Sequence, residues 1–169
     1  GSAVCHAFAN QGANLVCADI NAAALNETVA AITGAGGAAI GVAGDAAEEA
    51  HARQLADAAK SQFGGVSAVV TSAILDVPYL PVTELSVEDW KRSLDVNLTG
   101  SWLMARAAGR VMVERGYGRI VNLASQAASS GLEQHAAYCA SKAGITGLTR
   151  TLAVEWGPHG VTVNAVSPT

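Results

Sequence analysis

The stretch that decides the fold is SQAASSGLEQHAAYCASK, Ser125 to Lys142, entered from the apolar run Ile120-Val121-Asn122-Leu123-Ala124. That run reads as a strand. A loop follows it, and a long helix is expected from about Ala137 to Trp156. A strand leading through a loop into a helix is the recurring unit of a parallel α/β sheet. Tyr138 and Lys142 are four residues apart on that helix, so they share one face. A phenol is a poor base at neutral pH, and a cation beside a phenol favours the phenolate. The pair is therefore a candidate proton-transfer device. Ser125 stands thirteen residues before Tyr138, at the carboxyl end of the strand, where open parallel sheets carry their chemistry. Tyr-x-x-x-Lys alone is common in helices; the serine at this offset is what makes it informative.

Outward from this stretch the pattern repeats. Leu15 to Ala18, Ala38 to Val42, Val66 to Ser72, Arg119 to Leu123 and Val161 to Val166 read as strands. Helices are expected around Val4 to Phe8, over Asn21 to Thr33, over Ala47 to Phe63, and from Ser86 through Asn97 to Glu114. Ser86-Val87-Glu88-Asp89 is a capping box in its Asp form. Trp90 and Leu94 are expected on the buried side of the helix it opens. Leu103, Met104, Ala107 and Val111 form an apolar stripe, read as core or subunit contact. His51, among polar neighbours, is expected to be solvated.

The chain has 169 residues, enough for one domain with a sizeable core. Half the residues are hydrophobic and 14% are charged, which suits strands buried on both faces. The net charge of −4 argues against nucleic acid or an anionic membrane as partner. Cys5, Cys17 and Cys139 are odd in number and lack a C-x-x-C pairing. Neither a disulfide framework nor a metal site is expected, and a reduced, cytoplasmic compartment fits. Cys139 is either a reactive thiol or a small packing residue. No apolar run approaches the ~18 residues of a membrane span.

Tyr138-x-x-x-Lys142, Ser125 upstream, and Asn97 in Val96-Asn97-Leu98-Thr99-Gly100 together resemble the signature of short-chain dehydrogenases/reductases, over nearly the whole chain. The resemblance implies an α/β, doubly wound, Rossmann-like parallel sheet and hydride transfer with a nicotinamide cofactor. It implies Tyr138 as base, Lys142 as its cation and as a ribose ligand, and Ser125 as the group steadying the oxyanion. It gives Asn97 a backbone carbonyl that holds a relay water where the helix kinks; an Asn bonded within the helix is the alternative.

Cofactor neighbours follow by position. Gly1 would be the last glycine of a pyrophosphate-binding turn, or else a cloning scar. Asp19 and Ile20, Asp45 and Ala46, Ser72 and Ala73, and Pro168 and Thr169 follow successive strands and would border the dinucleotide. A carboxylate at Asp19 accepts from ribose hydroxyls and repels a 2′-phosphate, favouring NAD over NADP; a helix cap shared with Asn21 is the alternative. Asp45 would meet the adenine edge or cap the next helix. Ser125, Gln126, His135 and Tyr138 would surround the substrate, although a lone His is also common as a structural or surface residue.

Some of the family pattern is altered. Thr71-Ser72-Ala73-Ile74 stands where relatives have Asn-Asn-Ala-Gly or Asn-Ser-Ala-Gly, and Ile74 in place of the glycine is expected to crowd the cofactor. A first strand before Val4, and a lid and last strand after Pro168, are not in the sequence, so it reads as a single-domain fragment truncated at both ends. Asn122 to Gln126, His135 to Lys142, Glu155 to Pro158 and Asn164 to Thr169 most resemble polyol and diol dehydrogenases of the threitol type and L-xylulose reductase. A small alcohol or ketone, a polyol, diol or sugar, is the implied substrate, and a homotetramer or dimer the implied assembly. The alternatives are a 3-oxoacyl carrier-protein reductase, which Asp19 opposes, and a cofactor-binding protein with little turnover.

Overall fold

The β-branched runs become strands and the glycine-punctuated segments between them become helices. A computed structural model describes residues 1–169. In chain order the elements are α1 (Ser2–Ala9), β1 (Leu15–Asp19), α2 (Ala22–Gly34), β2 (Ala39–Ala43), α3 (Glu49–Phe63), β3 (Ala68–Thr71) and α4 (Val87–Leu94). A π-helical turn (Asp95–Thr99) joins α4 to α5 (Gly100–Arg115); β4 (Gly118–Leu123), α6 (Ala136–Trp156) and β5 (Val161–Val166) complete the chain. Every strand pairing is parallel, as helical crossovers require.

The expected class is α/β, and the structure has it, but the ladder is in two pieces. One sheet has the order β1-β2 and the other β3-β4-β5. The edges of β1 and β3 that face away from these partners carry no ladder, so the expected doubly wound, Rossmann-like class is present with its parallel ladder in two pieces. Helices α5 and α6 pack on the three-stranded sheet, α1 and α2 on the two-stranded one, and α3 touches both β1 and α5. The main core is Val66, Ala105, Ala108, Met112, Ile120, Leu152, Val161 and Val163. Ala105 and Ala108 have no exposed surface, and their small size lets α5 lie close to the strands. The core of the two-stranded half is only Cys17, Leu25 and Ile32, so that half is held by less apolar burial.

A buried polar thread crosses the larger half. Thr71 donates to Asn122 Oδ1 at 2.9 Å, Asn122 Nδ2 donates to Thr149 Oγ1 at 3.0 Å, and Thr149 donates to the Ile145 carbonyl at 2.7 Å. Each member is satisfied, so the thread fixes β3, β4 and α6 against one another. Of the capping box, the N-cap half forms: Ser86 Oγ accepts from the Asp89 amide at 3.0 Å, while the Asp89 carboxylate accepts from Ser86 Oγ at 2.7 Å rather than from the Ser86 amide.

Three local expectations are corrected. Trp90 is 36% exposed and Leu94 only half-buried; the inward face of that segment is Ser93, Val96 and Asn97. His51 is 7% exposed, not solvated. It sits under Gly44, where a Cβ would stand 2.3 Å from its Nδ1, and that nitrogen has no partner. Burial lowers the proton affinity of His51, with Asp45 opposing. Finally, α3 starts at Glu49 rather than Ala47. No helix is long and apolar enough to cross a membrane.

Met112→Ala removes a side chain with no exposed surface from the main core, and is expected to cost about 2–5 kcal/mol. Val154→Ala, at a position 78% exposed, is expected to stay within about 0.5 kcal/mol. Urea unfolding of the two variants checks the core assignment, which fails if the two costs are equal.

Candidate active site

Parallel strands deliver their carboxyl ends to one edge of a sheet, and the extensions of β4 and β5 build the site there. The Ala124 amide donates to the Val166 carbonyl at 2.8 Å, and the Gln126 amide to the Pro168 carbonyl at 3.0 Å. Ser125 is held in extended backbone between those two bonds. Its Oγ accepts from the Ala127 amide at 3.2 Å, which orients the hydroxyl and leaves its proton free to donate.

Tyr138 lies in the first turn of α6 and Lys142 one turn on. Lys142 is 3% exposed, and its Nζ donates to the Leu123 carbonyl at 2.6 Å. The same Nζ lies 5.7 Å from the centre of the Tyr138 ring. The cation thus ties α6 to the last residue of β4, two residues before Ser125, with the phenol beside it. Burial holds the Lys142 pKa below the ordinary lysine range.

Asn97 sits in the π-helical turn and is 1% exposed. Its Oδ1 accepts from the Leu75 amide at 2.7 Å, and its Nδ2 donates to the Leu75 carbonyl at 2.9 Å and to Ser93 Oγ at 3.2 Å. The side chain thereby clamps the loop that follows β3. Its own carbonyl accepts from Ser101 Oγ at 3.3 Å. The helix is irregular where a kink was expected. The bonds of the side chain run mainly across to the loop, with only the Ser93 bond inside the helix.

His135 immediately precedes α6. Its Nδ1 is 2.5 Å from the Glu133 carbonyl, which assigns the proton to Nδ1 and leaves Nε2 an acceptor in the neutral ring. The ring stacks on Tyr79 with centroids 4.1 Å apart and meets Tyr138 edge-on at 6.4 Å. Gln134, just before it, has φ of 63°, a left-handed conformation costly for a residue with a Cβ. Tyr79 and Asp76 were not singled out from the sequence. The Tyr79 hydroxyl donates to the Asp76 carboxylate, which pushes the Tyr79 pKa up. Asp76, Tyr79, Gln134, His135 and Tyr138 line one small cleft. The only sequence signal for Tyr79 is an aromatic between Pro78 and Pro81 in an otherwise featureless loop. Gln126 is exposed.

The residues expected around a dinucleotide are arranged as follows. Gly1 precedes α1, and a Cβ on it would stand 3.6 Å from Ser72 Oγ, so the helix N-terminus meets the end of β3. Asp19 is exposed and accepts from the Asn21 amide at 2.9 Å. Asn21, not Asp19, caps α2 through the Ala24 amide at 3.1 Å. Ile20 is 68% exposed. Asp45 accepts from the Ala47 amide at 2.9 Å and pairs with Arg92 at 2.5 Å. That amide and the guanidinium hold its pKa down. Asp45 does not cap α3, whose N-cap position is Glu48. Ala46 lies against Gly100, where a Cβ would come within 2.8 Å of the Ala46 carbonyl. Ser72 is half-buried, Ala73 exposed, and Pro168 and Thr169 exposed. A helix N-terminus and a carboxylate at a strand end are the donor and acceptor types that phosphate and a ribose diol require. No group of three or more His, Cys, Asp and Glu side chains is placed to hold a metal ion.

Residues 1–169 match the family model described as enoyl-(acyl carrier protein) reductase. D-threitol dehydrogenase of Mycolicibacterium smegmatis is 44% identical over all of this chain and 65% of its own length. NAD-dependent glycerol dehydrogenase of Listeria innocua is 51% identical over 86 residues, 51% of this chain and 34% of that protein. The crystal structure of an NAD⁺-bound xylitol dehydrogenase superposes with a TM-score of 0.96 at 32% identity, covering 99% of this chain and 65% of that one. The chain therefore spans about two thirds of the length of such relatives.

Lys142→Met removes a buried cation with one carbonyl partner. Because the folded-state pKa is depressed, the unfolded chain binds more protons between that pKa and the ordinary lysine range. The parent protein therefore gains stability as pH rises through that window, and the Met variant does not. Urea unfolding across an alkaline pH series is expected to show the variant losing ground relative to the parent. A difference that is flat with pH would remove the desolvation argument.

Proposed function

We propose that this chain, which belongs to the short-chain dehydrogenase/reductase family, is the nucleotide-binding and catalytic part of an NAD-dependent oxidoreductase acting on a secondary alcohol or ketone. The substrate class is a small polyol, diol or sugar. The observation that carries this reading is the Lys142 ammonium, buried 5.7 Å from the Tyr138 ring and bonded to the strand end that leads into Ser125.

When bound, the nicotinamide supplies the site that accepts or returns the hydride. The chain's own residues handle the proton and the position of the substrate. The substrate hydroxyl meets Ser125 and Tyr138. Tyr138 Oη takes the hydroxyl proton, and the ammonium of Lys142 stabilises the phenolate that receives it. Ser125 Oγ donates to the same oxygen as charge develops there. Asn97 supports the relay by holding the loop at Leu75, and its carbonyl, one turn from Ser101, is the reading's acceptor for a relay water. His135 and Gln126 flank the substrate, with the Nε2 of His135 as an acceptor for a second hydroxyl.

Asp19 binds the adenosine ribose in this reading. One carboxylate oxygen is engaged by Asn21 and the other is free, which supports NAD over NADP. Gly1, Ile20, Asp45, Ala46, Ser72, Ala73, Pro168 and Thr169 complete the cofactor border. The names of the threitol, glycerol and xylitol dehydrogenases among similar proteins support the substrate class. The working assembly is a homo-oligomer, a tetramer or dimer formed through α5 and α6, in the cytoplasm. A weakly active cofactor-binding protein is the second reading, favoured by Ile74 in the place of a glycine.

With the full-length protein, NAD and a panel of four- and five-carbon polyols, Tyr138→Phe is expected to lower kcat by about 10²–10⁴-fold while cofactor affinity changes little. Wild-type rates in that variant would show that another group is the base. Asp19→Ala is expected to narrow the preference for NAD over NADP by roughly tenfold, equivalent to about 1.4 kcal/mol of lost discrimination. An unchanged ratio of kcat/KM values for the two cofactors would take the ribose role away from Asp19.

A further inference from the structure

We infer that Cys5 is a site of hydroperoxide oxidation and that Cys17 resolves it to a Cys5–Cys17 disulfide. Cys5 lies on α1 and Cys17 at the centre of β1. The Cys17 thiol donates to Cys5 Sγ at 3.5 Å. Cys17 is 4% exposed, whereas Cys5 is half-buried at the rim of the small core and is the more accessible of the two. A disulfide has its sulfurs ~2 Å apart, so closure needs a movement of about 1.5 Å. That movement takes place in a half of the molecule whose core has only three buried residues, Cys17, Leu25 and Ile32.

The hydrogen bond also assigns the two roles. A thiol that accepts from its neighbour is stabilised as the thiolate, and the donor is not. The Cys5 pKa is lowered to about 6, first by the Cys17 hydrogen bond, and the Cys17 pKa is raised by the same bond and by burial. The more accessible member is therefore the nucleophile. The Cys5 thiolate attacks the O–O bond of the hydroperoxide, giving the sulfenic acid and, after protonation, an alcohol or water. Cys17 sulfur then attacks Cys5 sulfur; the S–O bond breaks and hydroxide leaves with the Cys17 proton as water. Two thiols lose two electrons and the peroxide gains them.

The bridge would act on the nucleotide half of the site. It would fix α1, whose N-terminus meets Ser72, to β1, which ends at Asp19 two residues after Cys17. The inference is independent of the proposed alcohol chemistry, since neither thiol takes part in it.

The test treats the intact protein with one to two equivalents of hydrogen peroxide, traps free thiols under denaturing conditions and maps the peptides after chymotrypsin. Cleavage at Phe8 separates Cys5 from Cys17, so their peptides stay joined only through a disulfide. The expected result is that linked pair, with Cys139 still alkylated. Cys17→Ala, which has no resolving thiol, is expected to stop at a dimedone-reactive Cys5. In the parent protein the rate at which the linked pair forms should climb as pH rises through about 6 and then level off. No joined peptide in the parent protein, or Cys139 oxidised first, overturns the inference whether or not the variant folds.

Discussion

A buried ammonium with one carbonyl partner is the interaction around which the site is arranged. Moving a lysine head group out of water costs several kcal/mol even after relaxation. Against this the structure sets the 2.6 Å bond to the Leu123 carbonyl and the face of the Tyr138 ring, the latter worth about 0.5–2 kcal/mol. Lys142 has three donors and a single hydrogen-bond partner within the chain. A position so poorly compensated does little for the fold itself. In the proposed reading it is a cation held ready for an oxygen ligand and for a phenolate, both of which relieve the same deficit.

The surroundings keep that cation where it is. The thread from Thr71 through Asn122 and Thr149 to Ile145 sets the register of β3, β4 and α6, so the Leu123 carbonyl cannot drift from the lysine. Asn97 performs the matching task on the other wall by holding both backbone groups of Leu75. The π-helical turn is the local cost of that clamp, since an extra residue re-aims the helix so that an asparagine faces inward. In the turn of α4 before it, Trp90 is 36% exposed while Ser93 is buried and bonded to Asn97, so the inward line of this segment is Ser93, Val96 and Asn97.

Much of this was legible from residue type and spacing. Strand runs, the shared face of Tyr138 and Lys142, and Ser125 after β4 all follow from short-range periodicity. What was not legible depends on backbone atoms or on contacts remote in sequence. The Leu123 carbonyl has no signature in residue identity, and the Tyr79–His135 stack joins two loops that no spacing rule connects. The expectation for His51 fails because it weighs Glu48, Glu49, Arg53 and Gln54 nearby over Ala52 beside it, which is buried. Leu55, four residues on and also buried, carried the better signal, and the missing Cβ of Gly44 supplied the room. The division of the ladder into two sheets is a matter of strand adjacency, which local pattern does not encode.

The altered tetrapeptide after β3 separates demands of the fold from demands of ligand binding. Thr71 keeps a hydrogen-bond donor at the strand end, and Asn122 accepts from it at 2.9 Å, so that change is absorbed by the scaffold. Ile74 is absorbed by nothing. It is 58% exposed, and its φ is not in the left-handed region that would demand glycine. The backbone therefore accommodates the side chain without strain, and the apolar surface is turned to solvent rather than buried. A substitution that neither strains the chain nor packs in the core leaves stability nearly unchanged. In the proposed reading its effect falls on the ligand that approaches the loop held by Asn97, and folding is left nearly untouched.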